Sequence, residues 1–361
     1  MKNIVTKNYK LKSRKMSVKP FIFTRPSVSS ISLRFIVLLS LQVLMLIFTK
    51  SYKSLLVVFV SFIGALAAAS LDYLINKSQP YKFMNVIIQG LMIGLLLPSD
   101  YPALSVFFIS FVTLFTARSL VFKKVDSWIC LSALAVVVAW FIGQRFFPPF
   151  AVTSEIVEMK NSSVYLIQNG TFPISSLDSA FTSFLNNGIL KLFHTSIPEG
   201  LVSMLWDNHS VIPAFRFNIL TIISSIFIFS DNAFSLIIPS IFLVVYGTLV
   251  RLFSSFIFGG AFNQGDVFLA LFTSGVLFGT VFQIQWFGSI PVTTTGKVIQ
   301  GILLGIIGFL VIGCGTSPIG MAYTVLIGNI SSMMIRVFEE RKNNHFVTKS
   351  YSVKAASKGE I

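Results

Sequence analysis

The stretch ISLRFIVLLSLQVLMLIFT, residues Ile31 to Thr49, decides the fold, because it holds a single charged side chain, Arg34. A hydrocarbon core of about 30 Å requires about twenty apolar residues of helix, so this run is long enough to cross a bilayer. The thirty residues before it contain no apolar core followed by a small-residue cleavage site, as a signal peptide would. The run therefore predicts a membrane helix that stays in the chain.

Outward from this run, the same length criterion identifies nine further apolar spans. The ten spans lie near 31–49, 54–75, 84–98, 102–121, 126–147, 217–230, 234–253, 266–286, 297–314 and 319–338. Hydrophobic residues make up 54% of the chain and charged residues 11%, with a mean hydropathy of +0.81. A soluble domain needs a more polar surface than this. The predicted fold class is an all-α membrane protein of about ten transmembrane helices in two five-helix halves.

The charge distribution predicts the topology. Residues 1–34 hold nine Lys or Arg and no acid, and the formal net charge is +15. With a cytoplasmic amino terminus, 21 of the 28 basic residues fall on the cytoplasmic side, as the positive-inside rule requires. We expect a multi-pass protein of a bacterial inner membrane with both termini in the cytoplasm. Basic flanks of apolar spans indicate contact with anionic lipid rather than nucleic acid.

These features divide the chain into five predicted segments. They are a basic cytoplasmic tail (1–30), a first five-helix bundle (31–147), an extracytoplasmic loop (148–216), a second five-helix bundle (217–338) and a second cytoplasmic tail (339–361).

A short glycine motif occurs in the third span of each half. Gly90 and Gly94 recur as Gly275 and Gly279, and glycines four residues apart let two helix backbones approach closely. Because each half has an odd number of spans, a repeat would be inverted, an arrangement that places binding sites between the halves. The motif is also common in membrane helices that have no repeat, so both readings stay open.

Few residues offer catalytic chemistry. No phosphate-binding glycine loop and no paired histidine ligands are present, so we predict neither catalytic residues nor a metal site. Cys130 and Cys314 are expected to be inert core residues, with a metal or cluster contact shared with partner subunits as the open alternative. Charged residues are scarce within the spans, which indicates that redox chemistry would need a bound cofactor.

Several motifs occur in an order that resembles the D-subunit family of the Rnf electron-transport complex. The motifs are Gly94-Leu95-Leu96-Leu97-Pro98, Ser274-Gly275-Val276-Leu277-Phe278-Gly279, Pro291-Val292-Thr293, Gly296-Lys297, Gly301, Gly305, Pro318, Gly320, Ala322 and Asn329. That family is related to the B subunit of the Na⁺-translocating NADH:quinone reductase. The resemblance implies a ten-helix subunit that works with other membrane and flavoprotein subunits in an ion-translocating oxidoreductase.

The resemblance also implies a flavin. The family attaches FMN through a phosphoester to the threonine of a Ser/Thr-Gly-Ala-Thr motif after the fifth helix. On this basis Thr182 is the candidate attachment residue, with Asp178 and Ser179 beside it and a helix expected over 182–193. Riboflavin is a second possible ligand of such a protein.

Two alternatives remain at the level of sequence. Phe181 is bulky where the family motif has a small residue, so the chain is alternatively a flavin-free scaffold subunit of the same complex. An inverted repeat also fits a small-solute membrane transporter, a class that works without partner subunits.

Overall fold

The computed structural model describes residues 27–76, 83–117, 129–146, 162–168, 170–188, 190–193, 197, 199–230, 234–257, 259–286, 290–312 and 317–357. Every regular element in these ranges is helical. The first half contains α1 (Val28–Phe48), α2 (Tyr52–Asn76), α3 (Phe83–Leu96), α4 (Ala103–Phe115) and α5 (Leu131–Phe146). The connection between the halves contains α6 (Ser162–Gln168), α7 (Ser176–Asn187), a 3₁₀ turn (Leu190–Phe193), α8 (Leu201–Trp206) and α9 (Pro213–Arg216). The second half contains α10 (Asn218–Phe229), α11 (Ile237–Leu249), a π-helical stretch (Val250–Ser254), α12 (Ser255–Ile257), α13 (Val267–Thr273), α14 (Val276–Phe282), α15 (Thr294–Ile312) and α16 (Gly320–Ser357).

Five helices are long and apolar enough to cross a membrane, by length and composition. They are Val28–Phe48, Tyr52–Ile75, Ile237–Ile257, Thr294–Ile312 and Gly320–Asn344. Four shorter apolar helices coincide with further predicted spans: Met84–Leu96, Ala103–Phe115, Leu131–Gly143 and Asn218–Phe229. At 1.5 Å per residue, a helix of this length covers about 20 Å, less than a hydrocarbon core. The chain is therefore an all-helical multi-pass membrane protein, whereas the count of ten spans stays a prediction.

The apolar span predicted near 266–286 is not a single regular helix. Gly275 adopts φ +71°, and the chain breaks between α13 and α14 at Ser274 and Gly275. A helix cannot continue through a left-handed residue, so two seven-residue helices replace the expected span.

The two halves share part of their packing pattern. In each half the second helix packs on the fourth, α2 on α4 and α11 on α15, and the third packs on the first. In the first half, α2 packs equally extensively on α3. Gln42 of α1 joins the halves by donating from Nε2 to Oγ1 of Thr221 on α10, at 3.1 Å. The interior is apolar, whereas large apolar side chains such as Phe59 and Leu310 point outward. An outward apolar surface is what lipid requires and water disfavours.

The four glycines of the predicted repeat have different structural roles in the two halves. A Cβ on Gly90 would lie 2.9 Å from Cβ of Ala65, and one on Gly94 would lie 2.6 Å from Cα of Val58. These two glycines therefore lie where α3 meets the α2 backbone. Gly275 instead forms the break described above. A Cβ on Gly279 would lie 2.4 Å from Cγ of Met321, the second residue of α16.

Contacts between loops define two ends of the bundle. At one end, which we call the connecting end, Ser99 N–H donates to the Val211 carbonyl, and Arg216 donates to Ser51. At the opposite end, Gln285 bonds the backbone of Ser235, and the Glu339 carboxylate accepts from the N–H groups of Val292 and Thr293. Phe35, near the start of α1, contacts Phe234 at this opposite end. The start of α1 and the charged part of α16 thus share one end of the bundle.

Two segments predicted to lie outside the helix bundles contain regular structure. The interval 148–216, expected as a loop, contains four helices within its described residues. The tail predicted from residue 339 is not separate from the last span, because α16 runs without a break from Gly320 to Ser357. Residues 1–26 of the predicted amino-terminal tail, and Cys314, lie outside the described residues.

Candidate functional site

The described residues between Ser162 and Arg216, which we call the connecting segment, carry the candidate site. Its first helix, α6, ends in a Schellman motif at Gly170, where φ is +66°. Gly170 N–H donates to the Ile167 carbonyl and Thr171 N–H donates to the Leu166 carbonyl, which satisfies two carbonyls at the helix end. Thr171 is therefore held in a fixed turn, and its side chain is exposed.

The connecting segment is organised around the buried carboxylate of Asp178. Oδ1 accepts from the Gly200 N–H at 3.1 Å, and Oδ2 accepts from the N–H and the hydroxyl of Ser203, both at 2.6 Å. Gly200 is the residue before α8, so Asp178 of α7 caps α8 from outside that helix. A carboxylate near free N–H groups at a helix start is stabilised by them and by the helix dipole.

The hydrogen bonds decide the charge state of Asp178. Burial alone would raise the pKa of this carboxyl group. The hydrogen bonds from Ser203, Gly200 and Thr182 favour the ionised form and outweigh burial, so the pKa of Asp178 lies below its usual value. Asp178 is therefore a buried anion that holds α7 against α8.

The three residues predicted to form the flavin site occupy different environments. Thr182 is 2% exposed, and its hydroxyl donates to Oδ1 of Asp178 at 2.9 Å. Ser179 is exposed to solvent. The helix expected over 182–193 begins instead at Ser176, which puts Thr182 in the middle of α7 rather than at a helix start. Asp178 and Thr182 are thus adjacent, while Ser179 points away from them.

A second set of polar residues in the connecting segment surrounds Arg216. Its guanidinium donates from Nε to Oδ1 of Asp207 at 3.0 Å and from Nη2 to Oδ2 at 2.5 Å. Both side chains are nearly buried, at 12% and 11% exposure. Nη1 of Arg216 also donates to the Ser51 hydroxyl at 2.5 Å. The two-pronged ion pair fixes the Arg216 guanidinium, and its bond to Ser51 ties the end of the connecting segment to the turn between α1 and α2.

Two asparagines of this region support the broken helix. The Phe272 carbonyl lies in the last turn of α13, where the break at Gly275 removes its regular helical partner. Asn208 Nδ2 donates to this carbonyl at 2.7 Å, and Asn218 Nδ2 donates to it at 2.9 Å. The ring of Phe215 fills the space that a side chain on Gly275 would need, with 2.0 Å between Cε1 and a Cβ placed there. The connecting segment and the first residue of α10 thus satisfy the freed carbonyl and cover the break.

The far end of α14 is held by two glutamines. Gln283 donates from Nε2 to the Ser132 hydroxyl at 3.3 Å, which joins the broken helix to α5. Gln285 bonds both the N–H and the carbonyl of Ser235. These contacts fix the end of α14 against α5 and against the residues that precede α11.

The geometry around Thr182 does not fit a phosphoester. A phosphate on its hydroxyl would put a second negative charge next to the buried Asp178 carboxylate and would remove a hydrogen bond that the carboxylate accepts. The hydroxyl is also inaccessible in this arrangement. Thr171 has neither obstacle, because its side chain is exposed and its hydroxyl bonds only the nearby Leu166 carbonyl, at 3.3 Å.

The sequence reasoning passed over Thr171 and the two asparagines. Thr171 directly follows Gly170, so the sequence there matches the glycine and the threonine of the family's Ser/Thr-Gly-Ala-Thr motif but lacks its alanine. This Gly-Thr pair could have identified Thr171 as a candidate from the sequence. No sequence motif points to Asn208 or Asn218, because the Phe272 carbonyl to which they donate loses its helical partner only through the break at Gly275.

The described part of the chain is thus a multi-pass helical bundle of the membrane-protein class. A polar segment between its halves supports an interrupted helix. Residues 15–345 match the NQR2, RnfD, RnfE family. The chain belongs to that family.

Individual relatives are more distant. The chain is 26% identical over 167 residues to the D subunit of the ion-translocating oxidoreductase complex of Haemophilus ducreyi, covering 46% of this chain and 45% of the relative. It is 32% identical over 118 residues to the protein of the same name from Actinobacillus succinogenes, covering 33% and 32%. It is 26% identical over 117 residues to the D subunit of the Na⁺-translocating ferredoxin:NAD⁺ oxidoreductase complex of Acetobacterium woodii, covering 31% and 36%. The matches span less than half the length of these curated relatives.

Proposed function

We propose that this chain is a membrane subunit of an ion-translocating electron-transport complex of the Rnf type. The family match across residues 15–345 carries the proposal, and three relatives bear names of subunits of such complexes. The chain then works with other membrane and flavoprotein subunits. The interrupted helix supports the ion-coupled part of this role, since broken helices in membrane transporters provide backbone groups that coordinate ions.

Purification of the tagged chain from native membranes tests this proposal. We expect a stable multi-subunit complex that oxidises a reduced donor and moves Na⁺ or H⁺ across the membrane. A chain that purifies alone and takes up a small solute in liposomes would instead support the transporter alternative. Loss of donor oxidation in membranes that lack this chain, restored by supplying it, is the matching genetic result.

A covalent flavin is the second part of the proposal, and the exposure of Thr171 selects its position. We propose that FMN, where present, is attached at Thr171 rather than Thr182, because of these two threonines of the connecting segment Thr171 is exposed and Thr182 is buried. FMN bound there would supply one-electron relay chemistry. The chain's own contribution is to hold the site: the Schellman turn fixes Thr171, and Phe172 packs edge-on against His209 with ring centroids 6.0 Å apart.

Denaturing electrophoresis under ultraviolet light tests the position. We expect a fluorescent band from the wild-type chain co-expressed with a flavin transferase, loss of the band with Thr171→Ala, and retention with Thr182→Val. Loss of the fluorescent band with Thr182→Val but not with Thr171→Ala would instead support attachment at Thr182, as expected from the sequence. A dark wild-type band, together with an intact complex, would establish the flavin-free scaffold role.

The charge distribution, and the position of the start of α1 and the charged part of α16 at one end of the bundle, support a proposal for the localisation. We propose that the opposite end, with the start of α1 and the charged part of α16, faces the cytoplasm of a bacterial inner membrane. Reporter fusions after residue 170 and at the carboxyl terminus test the arrangement. We expect periplasmic activity for the first fusion and cytoplasmic activity for the second.

A further inference from the structure

Helix α7 turns polar side chains inward and aromatic side chains outward. Asp178, Thr182 and Asn186, spaced by four residues, face the protein, and Asn186 bonds both the N–H and the carbonyl of Ile197. Phe181 is 50% exposed and Phe184 is 65% exposed. This reverses the usual arrangement of a surface helix, in which apolar residues face the core.

More apolar residues are exposed on the elements next to α7. Ile174 precedes the helix, Leu192 belongs to the 3₁₀ turn that packs on it, and Trp206 ends α8, which also packs on it. Three of these five residues are aromatic, with roughly 150 to 250 Å² each, and all five are exposed by half or more, so together they present on the order of 500 Å². A standard protein interface buries about 800 Å² on each partner, so this surface would supply most of one side.

The composition of α7 favours a protein over lipid as the occupant. Helices that lie in a membrane interface carry Lys or Arg on a polar face directed to water. The sequence of α7, SLDSAFTSFLNN, contains no basic residue, and its acidic residue is turned inward. The exposed aromatic residues adjoin the uncharged polar residues Ser183 and Asn187. Aromatic anchors with an uncharged polar surround are typical of protein–protein interfaces.

We infer that the aromatic face of α7, formed by Phe181 and Phe184, is the docking surface for an extramembrane domain of another subunit of the complex. This inference rests on the proposed function, because it requires such a partner. The buried contacts of Asp178 hold the helix rigidly on α8, so its aromatic side chains are positioned before the partner binds.

Photo-crosslinking in the intact complex tests the inference. Benzoylphenylalanine replaces Phe184 in the tagged full-length chain, and the matched control carries it at Ser183, an exposed polar position of the same helix. We expect the crosslink at position 184 to join the chain to another subunit of the purified complex, with little product at position 183. A phospholipid adduct at position 184, or a crosslink within the chain alone, overturns the inference.

A pair of substitutions provides an independent measurement. Phe181→Ser with Phe184→Ser removes the aromatic face without touching the Asp178 contacts, whereas Ser183→Ala is the control. We expect the double variant to purify with the membrane subunits but with at least a tenfold loss of the docked partner. If the wild-type chain purifies without any partner, the proposed function fails; if wild type and double variant retain the same partners, only the docking surface fails.

Discussion

Thr182 donates its hydroxyl hydrogen bond to Oδ1 of Asp178 at 2.9 Å, one helical turn away on α7. This contact makes Thr182 a support for the carboxylate that caps α8. It also explains why a threonine that resembles a modification site in sequence is unsuited to that role in the folded chain. The same hydrogen bond therefore stabilises the connecting segment and argues against Thr182 as the position of flavin attachment.

Asp178→Asn should loosen the connecting segment. An amide has one acceptor oxygen and places an NH₂ group among the three donors of Gly200 and Ser203, which leaves buried donors unpaired. Hydrogen bonds to a charged group are each worth about 1.5 to 3 kcal/mol, so we expect a local loss on the order of 2 to 3 kcal/mol. Hydrogen exchange of α7 and α8 in detergent measures it. The control is Ser179→Ala, at an exposed position, and equal protection in both variants would contradict the prediction.

The same carboxylate predicts an acid-dependent opening. The pKa of Asp178 is lower in the folded chain than in the unfolded chain, so its stabilisation is present above about pH 4, near the unfolded value. It is lost as the pH falls further, through the folded pKa. We expect protease cleavage within the connecting segment to increase below about pH 4 in the wild-type chain. In Asp178→Asn the cleavage should already be high and should depend little on pH over this range.

Gly275→Ala should damage the broken helix more than its backbone strain explains. A non-glycine residue in the left-handed region costs about 1 kcal/mol, and here the added Cβ also meets the Phe215 ring at 2.0 Å. Gly259→Ala is the matched control, since Gly259 has φ +80° and a Cβ added there would meet no atom within 4 Å. We expect a clearly lower thermal midpoint in detergent for Gly275→Ala. Similar midpoints for the two variants would show that the Phe215 ring moves aside freely.

Asn208 and Asn218 should act cooperatively, because both donate to the Phe272 carbonyl. Either single alanine variant leaves this carbonyl with one donor, whereas the double variant leaves it with none. A buried carbonyl without a partner costs about 1 to 3 kcal/mol. We expect the double variant to lose more stability than the sum of the singles, measured by thermal unfolding in one detergent. Strict additivity would mean that another group satisfies the carbonyl.

Asp207→Ala and Lys53→Ala compare a nearly buried ion pair with an exposed one. Removing Asp207 leaves the Arg216 guanidinium buried without its carboxylate, and breaking a buried pair typically costs about 3 to 5 kcal/mol. Lys53 pairs with Asp100 at 3.4 Å with side chains 81% and 47% exposed, where a pair is worth about 1 kcal/mol or less. We expect a large drop in the yield of folded protein for the first variant and almost none for the second. Comparable yields would show that Ser51 and Phe217 suffice to hold Arg216.

Part of the candidate site was predictable and part was not. The family motifs placed a polar segment after the fifth helix and pointed to Asp178 and Thr182, which the structure brings into direct contact. Their role as a helix support was not predictable, since it depends on Gly200 and Ser203, more than twenty residues away in sequence. The burial of Thr182 likewise depends on which face of α7 meets α8, and the exposure of Thr171 depends on the turn that ends α6.

The sequence alone determined that the chain is a helical membrane protein, because apolar runs long enough to cross lipid are local properties that require no partner. It also determined the approximate position of the spans and the gathering of basic residues at both tails. Only the tertiary structure decided that the span around Gly275 is two helices, because a break in lipid is tolerated only where distant groups such as Asn208 satisfy the freed backbone. The hydrogen bonds from Asn208 and Asn218 and the packing of the Phe215 ring stabilise this break, and they join residues far apart in sequence.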